Sequence, residues 1–531
     1  MKRALVVTGF ILVLALVCHF SFSWMGFTPT DEGFTLAHSR RILEGQVPHR
    51  DFIIIRPFVS PLLHVPEVWL GGGYTFWISR LVVWFQFACL AAAWTIVCQR
   101  FNNRSFSVVG LLCSALICFA ATVHTKHLTA WHTIDGLFLF FVGLSLCTQS
   151  RSGLKSIGYF VLGLAPLCKQ GFVFVIPGVL LLLDDWRLVK YWLAALLPGF
   201  LYLGFLLVTG AFSDAIAQLT SHTEFVATAI LTYAKPQVLI SAGVGFCAAY
   251  LLKAADTNAL KCWTALTILY FVPLIGTAVS LFFGHMISDA FFLFGLCLGV
   301  AFYEIVFDRD SSLIHRGLWL ALLAAWTASI SGGYNSPALG AGPMLVAILS
   351  TIWRHFSQRR VIQYSLPGIC ALVVGGFVIG RVQHIYRDQP AARLNQSIKD
   401  VMPGGKRIYT NPNTHAFLDD LRTAIAFVEQ RHRKYAIIPD VAAYWVKSPQ
   451  RNPFPAIWPQ FDELRAPRLR DRYLKAMNAR RSDTTVIVQK VAADNLANGF
   501  VSVPDGYCEA VRFARQNFQQ VHETKYFILY E

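Results

Sequence analysis

Apolar stretches of roughly bilayer-crossing length follow one another almost without pause from Ala4 to Gly380, and there the pattern stops. A span takes about 20 mostly apolar residues, and the candidate crossings are 4–23, 75–97, 105–122, 134–149, 156–168, 171–183, 189–209, 236–252, 262–281, 286–306, 316–331, 338–353 and 361–380. Thirteen crossings put the two ends of the chain on opposite sides. The short basic segments MKR, QRFNNR, RSGLK, DWRLVK, KAADTNALK, DRDSSLIHR and RHFSQRR fall at the start and after every even-numbered run. The positive-inside rule therefore assigns them all to the cytoplasm. Segments 24–74, 124–131, the turn at Lys169, 211–235, 284–289 and 332–337 are then outside, as is everything from Arg381 on.

After Gly380 the period changes. RIYT (407–410), YAIIP (435–439), TTVIVQKV (484–491) and YFILYE (526–531) read as strands, and 414–431, 461–480 and 505–518 as amphipathic helices. The expected fold is a mostly α, polytopic protein of the inner (plasma) membrane. Its membrane domain of about 13 transmembrane helices covers 1–380, and a small extracytoplasmic α/β domain covers 381–531. Composition agrees: the chain has 531 residues, 55% of them hydrophobic and 14% charged, with a mean hydropathy of +0.49. The first run outlasts a signal-peptide core and no small-x-small site follows it, so it reads as an uncleaved helix. Of twelve cysteines only Cys508 lies in the tail, the pattern of packed thiols rather than of a disulfide framework or metal cluster. The net charge of +16 does not point to nucleic acid. The tail carries 23 Lys and Arg against 15 Asp and Glu without aromatic-basic interleaving, and most of the remaining excess sits in the short loops. There is no glycine-rich phosphate loop and no internal repeat.

Segment 24–74 is the longest connection in the membrane part, and a connection of that length is usually functional. Thr28 as cap, Pro29 at the first helical position and Asp31 at the third predict a helix start with a capping box, running to Gly45. A second short helix is expected from Pro57 to Leu70, ending at Gly71-Gly72-Gly73. Asp31 and Glu32 suit a helix amino terminus electrostatically, and equally suit a general base or a metal ligand at the membrane boundary. Arg50 and Asp51 read as a local ion pair. Arg56 follows Ile53-Ile54-Ile55 near membrane depth, where a lone guanidinium is costly without an anion. A phosphate gripped by its planar fork would be such an anion. HTKHLTAWHTID (124–135) gathers Lys126, His124, His127, His132 and Asp135; the histidine spacing matches no strict metal signature, whereas Asp135 opens the fourth run facing the first loop. LCKQGF (167–172) joins two runs too short to span alone, and Pro166 and Gly171 permit a break there. Lys169 is then carried just below the surface inside the protein, or snorkels to it. His285, Asp289 and GGYNSP share this side without a spacing that names a chemistry. Asp184 and Asp185 lie on the other side.

Residues 31–58, DEGFTLAHSRRILEGQVPHRDFIIIRPF, resemble the first outer loop of the polytopic GT-C glycosyltransferases, in the branch of protein O-mannosyltransferases and bacterial aminoarabinose transferases. Asp31-Glu32 matches the acidic pair, and Pro48-His49-Arg50-Asp51-Phe52 matches with His for the usual Tyr. Arg56-Pro57 stands where Lys-Pro is common. HTIDGLFLFF resembles the second acidic position at Asp135, and LCKQG the lysine turn. The motif match spans about the first 180 residues, the thirteen-crossing layout extends it, and in the tail only RNPFPAIWP (451–459) is similar to uncharacterised relatives.

The resemblance implies a GT-C fold and an inverting transferase that moves a sugar from a polyprenyl-phosphate carrier to an acceptor hydroxyl on the outer face. It implies Asp31 as base within an acidic set with Glu32 and Asp135. Arg56, Lys169 and His132 fall on the donor-phosphate side, and Asp135 orients acceptor, sugar or a divalent metal, which some relatives bind. The partners implied are a polyprenyl-phosphate-linked sugar, membrane lipid, and an acceptor that is a protein, lipid A, a cell-wall polymer or an exopolysaccharide. The principal alternative is a transporter or flippase of a lipid-linked sugar, but transporters tend to show internal repeats and midplane charges, and here the charges gather on one side. A non-catalytic scaffold that recognises lipid-linked glycan through the tail is the third reading.

Overall fold

The architecture comes from a computed structural model that describes residues 2–102, 107–124, 126, 128–221, 225–253, 259–307, 314–331, 335–356, 360–503 and 508–531. The chain runs through α1 (Lys2–Phe22), α2 (Asp31–Leu43), α3 (Val59–Leu63), α4 (Val65–Leu70), α5 (Thr75–Phe101), α6 (Val108–Val123), α7 (His132–Cys147), α8 (Ser152–Leu164), α9 (Val175–Leu182) and α10 (Val189–Val208). It continues through α11 (Phe212–Leu219), α12 (Phe225–Leu231), α13 (Pro236–Lys253), α14 (Ala259–Leu266), α15 (Val272–Phe283), α16 (Met286–Phe307), α17 (Ile314–Ser329), α18 (Ala341–Phe356) and α19 (Arg360–Gln383). All thirteen apolar runs are helical. Among the described residues seven helices are long and apolar enough to cross a membrane, which makes this a multi-pass membrane protein. Shorter ones such as α6 and α7 lie in the interior, against α5.

Burial separates centre from rim. Most of α5 is enclosed, including Trp84, Phe87 and Trp94, whereas α1 and α10 leave most of their apolar surface outward. An outward apolar face is what lipid requires, because lipid tails exert no hydrophobic drive toward burial. The tightest helix pair, α13 with α16, owes its approach to Gly295 and Gly299. A Cβ at either would collide with the α13 backbone at Val238 or Ala242, so small residues one turn apart let the two backbones meet.

The tail adds β1 (Gln396–Ser397), β2 (Tyr409–Thr410), α20 (Pro412–Gln430), β3 (Lys434–Ile438), α21 (Pro467–Ala479), β4 (Thr484–Gln489), α22 (Glu509–Asn517), β5 (Gln520–Glu523) and β6 (Phe527–Tyr530). The four-stranded sheet has the order β3-β4-β6-β5. β3 and β4 are parallel, pairing Lys434 with Thr484, and the other pairs are antiparallel. β1 and β5 have no counterpart in the sequence reading. β1 is only two residues long, and β5 is a polar, partly exposed edge strand reading QVHE, so neither gives an apolar signal.

The tail and the first loop share their cores. Phe27, Leu36 and Ala37 pack with Phe417, Leu421, Trp445 and Phe527. Ile53 and Ile55 pack with Ile438, Tyr473 and Val486, while Ile54 turns the other way with Phe52 and Phe58 onto Leu206. The isoleucine run is thus an extended segment with period-two burial, held by Ile53 N donating to Pro455 O at 2.8 Å. It lies inside protein rather than against lipid.

Candidate functional site

The helix at the centre of the site starts later than its sequence implies. α2 begins at Asp31 itself, its cap residue Thr30 makes no side-chain cap bond, and the Thr28–Asp31 capping box does not form. The cause is tertiary. Thr28 Oγ1 bonds Thr30 Oγ1 at 3.0 Å, and the Pro29 carbonyl accepts from Ala443 N of the tail at 3.0 Å, so Pro29 and Thr30 form a turn tied to the tail. Asp31 sits at the helix amino terminus, where the macrodipole favours a carboxylate. It is only 5% exposed. The Tyr386 hydroxyl donates to its Oδ2 at 2.9 Å, and Arg387 Nη1 lies 3.2 Å from the same oxygen. Arg387 also reaches toward Asp494, 3.9 Å away. Glu32 turns away from this group. Its Oε1 accepts from Arg80 Nε at 2.8 Å, and Arg80 also donates to the carbonyls of Ser23, Met25 and Gly26, which ties the loop to α5. Burial raises the Glu32 pKa, with Arg80 opposing.

Asp135 is fully buried at the start of α7 and bonds on both oxygens. Ser60 donates to Oδ2 at 2.5 Å, while His64 Nε2 at 3.0 Å and Gln86 Nε2 at 2.7 Å contact Oδ1. His64 Nδ1 lies 2.7 Å from Glu67. Burial alone would lower the His64 pKa, but the carboxylates of Asp135 and Glu67 raise it well above the usual imidazole value. The two carboxylates thus favour the charged imidazole in a bridge that joins α4, α7 and, through Gln86, α5. Removing one member of a buried ion network typically costs roughly 3–5 kcal/mol. We expect His64→Leu to lower stability by about that amount in a denaturation series in detergent. His64→Gln, which keeps one hydrogen bond, should lose less.

Three cations lead away from Asp31 in turn, Lys126, Lys169 and Arg56. Lys169 stands at the break between α8 and α9, 5% exposed, with its Nζ donating to the Ala328 carbonyl at 2.8 Å and near Thr133 Oγ1 at 3.1 Å. It is enclosed and does not snorkel. Among the described residues no carboxylate pairs with it, and Arg56 and Lys126 lie within electrostatic reach. Lys126, 5% exposed, faces the rings of Trp131 at 5.9 Å and Tyr386 at 5.7 Å. Burial pushes its pKa down to about 8, with Asp31 opposing. Arg56 already has an anion, Glu463 of the tail at 3.0 Å, and its guanidinium lies 5.2 Å from the Phe34 ring centroid. His132 is buried against Trp131, with ring centroids 4.7 Å apart. A cavity of about 280 Å³ opens here, lined among others by His124, Lys126, His384 and Tyr386. A buried cation such as Lys169, with no carboxylate partner among the described residues, is the usual counterpart of an anionic ligand.

Arg50 and Asp51 form the expected local pair at 2.9 Å. Asp289 accepts from Ser280 at 2.7 Å. His127 and residues 332–334 of GGYNSP lie outside the described residues. Among the described residues no group of three or more His, Cys, Asp or Glu is placed to hold a metal ion.

Tyr386, Arg387, Asp440 and Trp458 belong to the same neighbourhood; the first three have no place in the sequence reading, and Trp458 enters it only within RNPFPAIWP, without a role. Two signals were available. HIYRDQ (384–389) puts an aromatic-basic pair immediately after the last apolar run. Asp440 follows the carboxyl end of β3, a strand paired in parallel, and sites in open α/β sheets form outside such ends.

No protein-family model and no curated protein sequence matches the chain. Among solved structures, the crystal structure of ArnT from Cupriavidus metallidurans bound to undecaprenyl phosphate is 11% identical, covering 98% of this chain and 97% of that one with a TM-score of 0.46. The same protein in the apo state is 13% identical, with 100% and 98% covered and a TM-score of 0.42.

Proposed function

We propose that the protein is an inverting glycosyltransferase of the GT-C type, which passes a sugar from a polyprenyl-phosphate donor to an acceptor hydroxyl. The observation that carries this reading is the juxtaposition of one buried carboxylate, Asp31, with the buried Lys126 and Lys169 and the half-buried Arg56, each within electrostatic reach of the next. Asp31 accepts the proton of the acceptor hydroxyl, and the resulting oxygen attacks the anomeric carbon from the face opposite the phosphate. The bond from that carbon to the phosphate oxygen breaks, and the electron pair leaves on the phosphate. Lys126, Lys169 and Arg56 stabilise the charge that grows there, an effect strengthened by exclusion of water. Arg56 shares itself between the phosphate and Glu463. Asp135 and Glu32 act as positioning groups that fix loop 24–74 to α5 and α7, and His132 supports Trp131 against Lys126.

This reading keeps the amino terminus in the cytoplasm and places residues 381–531, as an α/β domain, on the outer face over the first loop. The opposed alternative is transport of the same lipid. Cells that lack the protein should accumulate a sugar-charged polyprenyl phosphate, and the purified protein should discharge that lipid when acceptor-bearing envelope material is added. A protein that moves the lipid across liposomes without ever cleaving it would establish transport instead.

Binding of undecaprenyl phosphate should follow Lys126. With its pKa at about 8 in the free protein, the ammonium is present below that pH. Above it, binding an anion must take up a proton, so affinity should fall by up to about tenfold per pH unit. Isothermal titration between pH 7.5 and 9.5 checks this, and Lys126→Met should bind more weakly at pH 7.5 and lose the dependence.

A further inference from the structure

We propose that Asp440 and Trp458, both supplied by the tail, form a recognition pair for a sugar hydroxyl beside Asp31. The proposal rests on the transferase reading and deepens it, because it gives the tail and the RNPFPAIWP segment a task in the same site.

Asp440 is 4% exposed, and its backbone N donates to Gln489 Oε1 at 2.5 Å. Its Oδ1 is enclosed and has no hydrogen-bond partner among the described residues, and the same holds for Trp458 Nε1. Asp31, Asp494 and Arg387 act electrostatically on the Asp440 carboxyl, and the Trp458 indole lies within hydrogen-bonding reach of it, but the two are not aligned for a hydrogen bond. Enclosed polar atoms of this kind are rare in folded proteins and cost stability unless something answers them.

The chemistry of the missing partner follows from the two groups. An indole N–H only donates, while a carboxyl accepts and, when protonated, also donates. Burial, reinforced by the carboxylates of Asp31 and Asp494, holds the Asp440 pKa well above the usual carboxylate range. A carboxyl beside an N–H donor suits a hydroxyl, which both gives and takes a hydrogen bond. The surrounding rings point the same way. The Phe34 ring packs edge-on against Trp458 at 5.1 Å and tilts against Trp131 at 5.7 Å, and Arg56 lies over it. Aromatic faces next to paired polar atoms fit a sugar ring, which presents C–H groups on its faces and hydroxyls at its edge. The hydroxyl belongs either to the donor's sugar or to a sugar of the acceptor.

The test compares Trp458→Phe, which keeps the ring and deletes the N–H, and Asp440→Leu with the wild-type protein in detergent. Two probes are used: undecaprenyl phosphate, and the sugar-charged polyprenyl phosphate extracted from cells lacking the protein. Undecaprenyl phosphate should bind both variants as it binds wild type, which also shows that they fold. The preference of wild type for the charged over the uncharged lipid should fall at least tenfold in each variant if the hydroxyl is the donor's. If that preference is kept but KM for the acceptor rises at least tenfold, the pair reads a hydroxyl of the acceptor. Asp440→Asn, neutral and able to hydrogen-bond, should rescue most of what Asp440→Leu loses. Unchanged preference and unchanged KM in both Trp458→Phe and Asp440→Leu would overturn the proposal. Failure of wild type to bind either lipid would instead defeat the transferase reading itself.

Discussion

Asp31→Asn should lower the turnover of lipid-linked sugar by about 10²–10⁴-fold, the contribution typical of a positioned general base, while leaving the protein folded. The substitution keeps the shape of the side chain and an oxygen that accepts from Tyr386, so local packing is preserved. What it removes is the charge. Arg387 retains Thr30 Oγ1 at 3.1 Å and the more distant Asp494, so it is not stranded. Lys126 loses the carboxylate that holds its pKa up, while the lipid phosphate loses a like-charged neighbour, so the two effects on lipid binding oppose each other. Affinity for undecaprenyl phosphate should therefore stay within a few-fold of wild type as kcat collapses. Single-turnover kinetics with the charged lipid, alongside a melting curve, separate these effects. A variant with wild-type kcat would remove Asp31 from the role of base. A variant with unchanged kcat and a lowered Tm would mean that the carboxylate serves only the helix terminus.

The helical framework was legible because crossing a membrane imposes a length and polarity that no tertiary contact can override. The thirteen runs are helical among the described residues, and seven helices there have the length and polarity to cross a membrane. The strands of the tail with buried apolar faces were equally readable, whereas β5 was not, being polar and at the sheet edge. The site divides in the same way. Asp31, Arg56, Asp135 and Lys169 announce themselves as charges placed where an apolar environment makes a charge expensive. Their partners do not. Tyr386 and Arg387 lie 355 and 357 positions from the residues they bond, and no local pattern encodes such a pairing. The start of α2 was misjudged for a related reason, since Thr28-Pro29-Thr30-Asp31 is a good local cap and the competing bond comes from Ala443. Sequence reading found the charges, and long-range packing decided which of them meet.

Gly33→Val should break that long-range packing and with it the site. A Cβ on Gly33 would meet the backbone N and Cα of Ala443 and the carbonyl carbon of Ala442, and backbone cannot swing aside as a flexible side chain does. The short turn Ala442–Val446 therefore lies against the first turn of α2 only because residue 33 has no side chain. A branched side chain must push the two apart. Overpacking of this kind costs roughly 1–3 kcal/mol, and the separation would also strain the Ala443 N to Pro29 O bond. Its functional effect should exceed its effect on stability. Gly33 is two residues from Asp31 and Ala442 two from Asp440, so a displacement here moves the proposed base and the tail carboxyl relative to each other. Turnover should fall more than about 100-fold, while undecaprenyl phosphate, held by Lys126 and Lys169 from the helical part, still binds. Limited proteolysis should cut the tail faster than in wild type, and Gly33→Ala should show a smaller effect in the same direction. Wild-type turnover in Gly33→Val would mean that docking of the tail onto α2 is irrelevant to catalysis, and the reaction would then belong to the membrane helices and first loop alone.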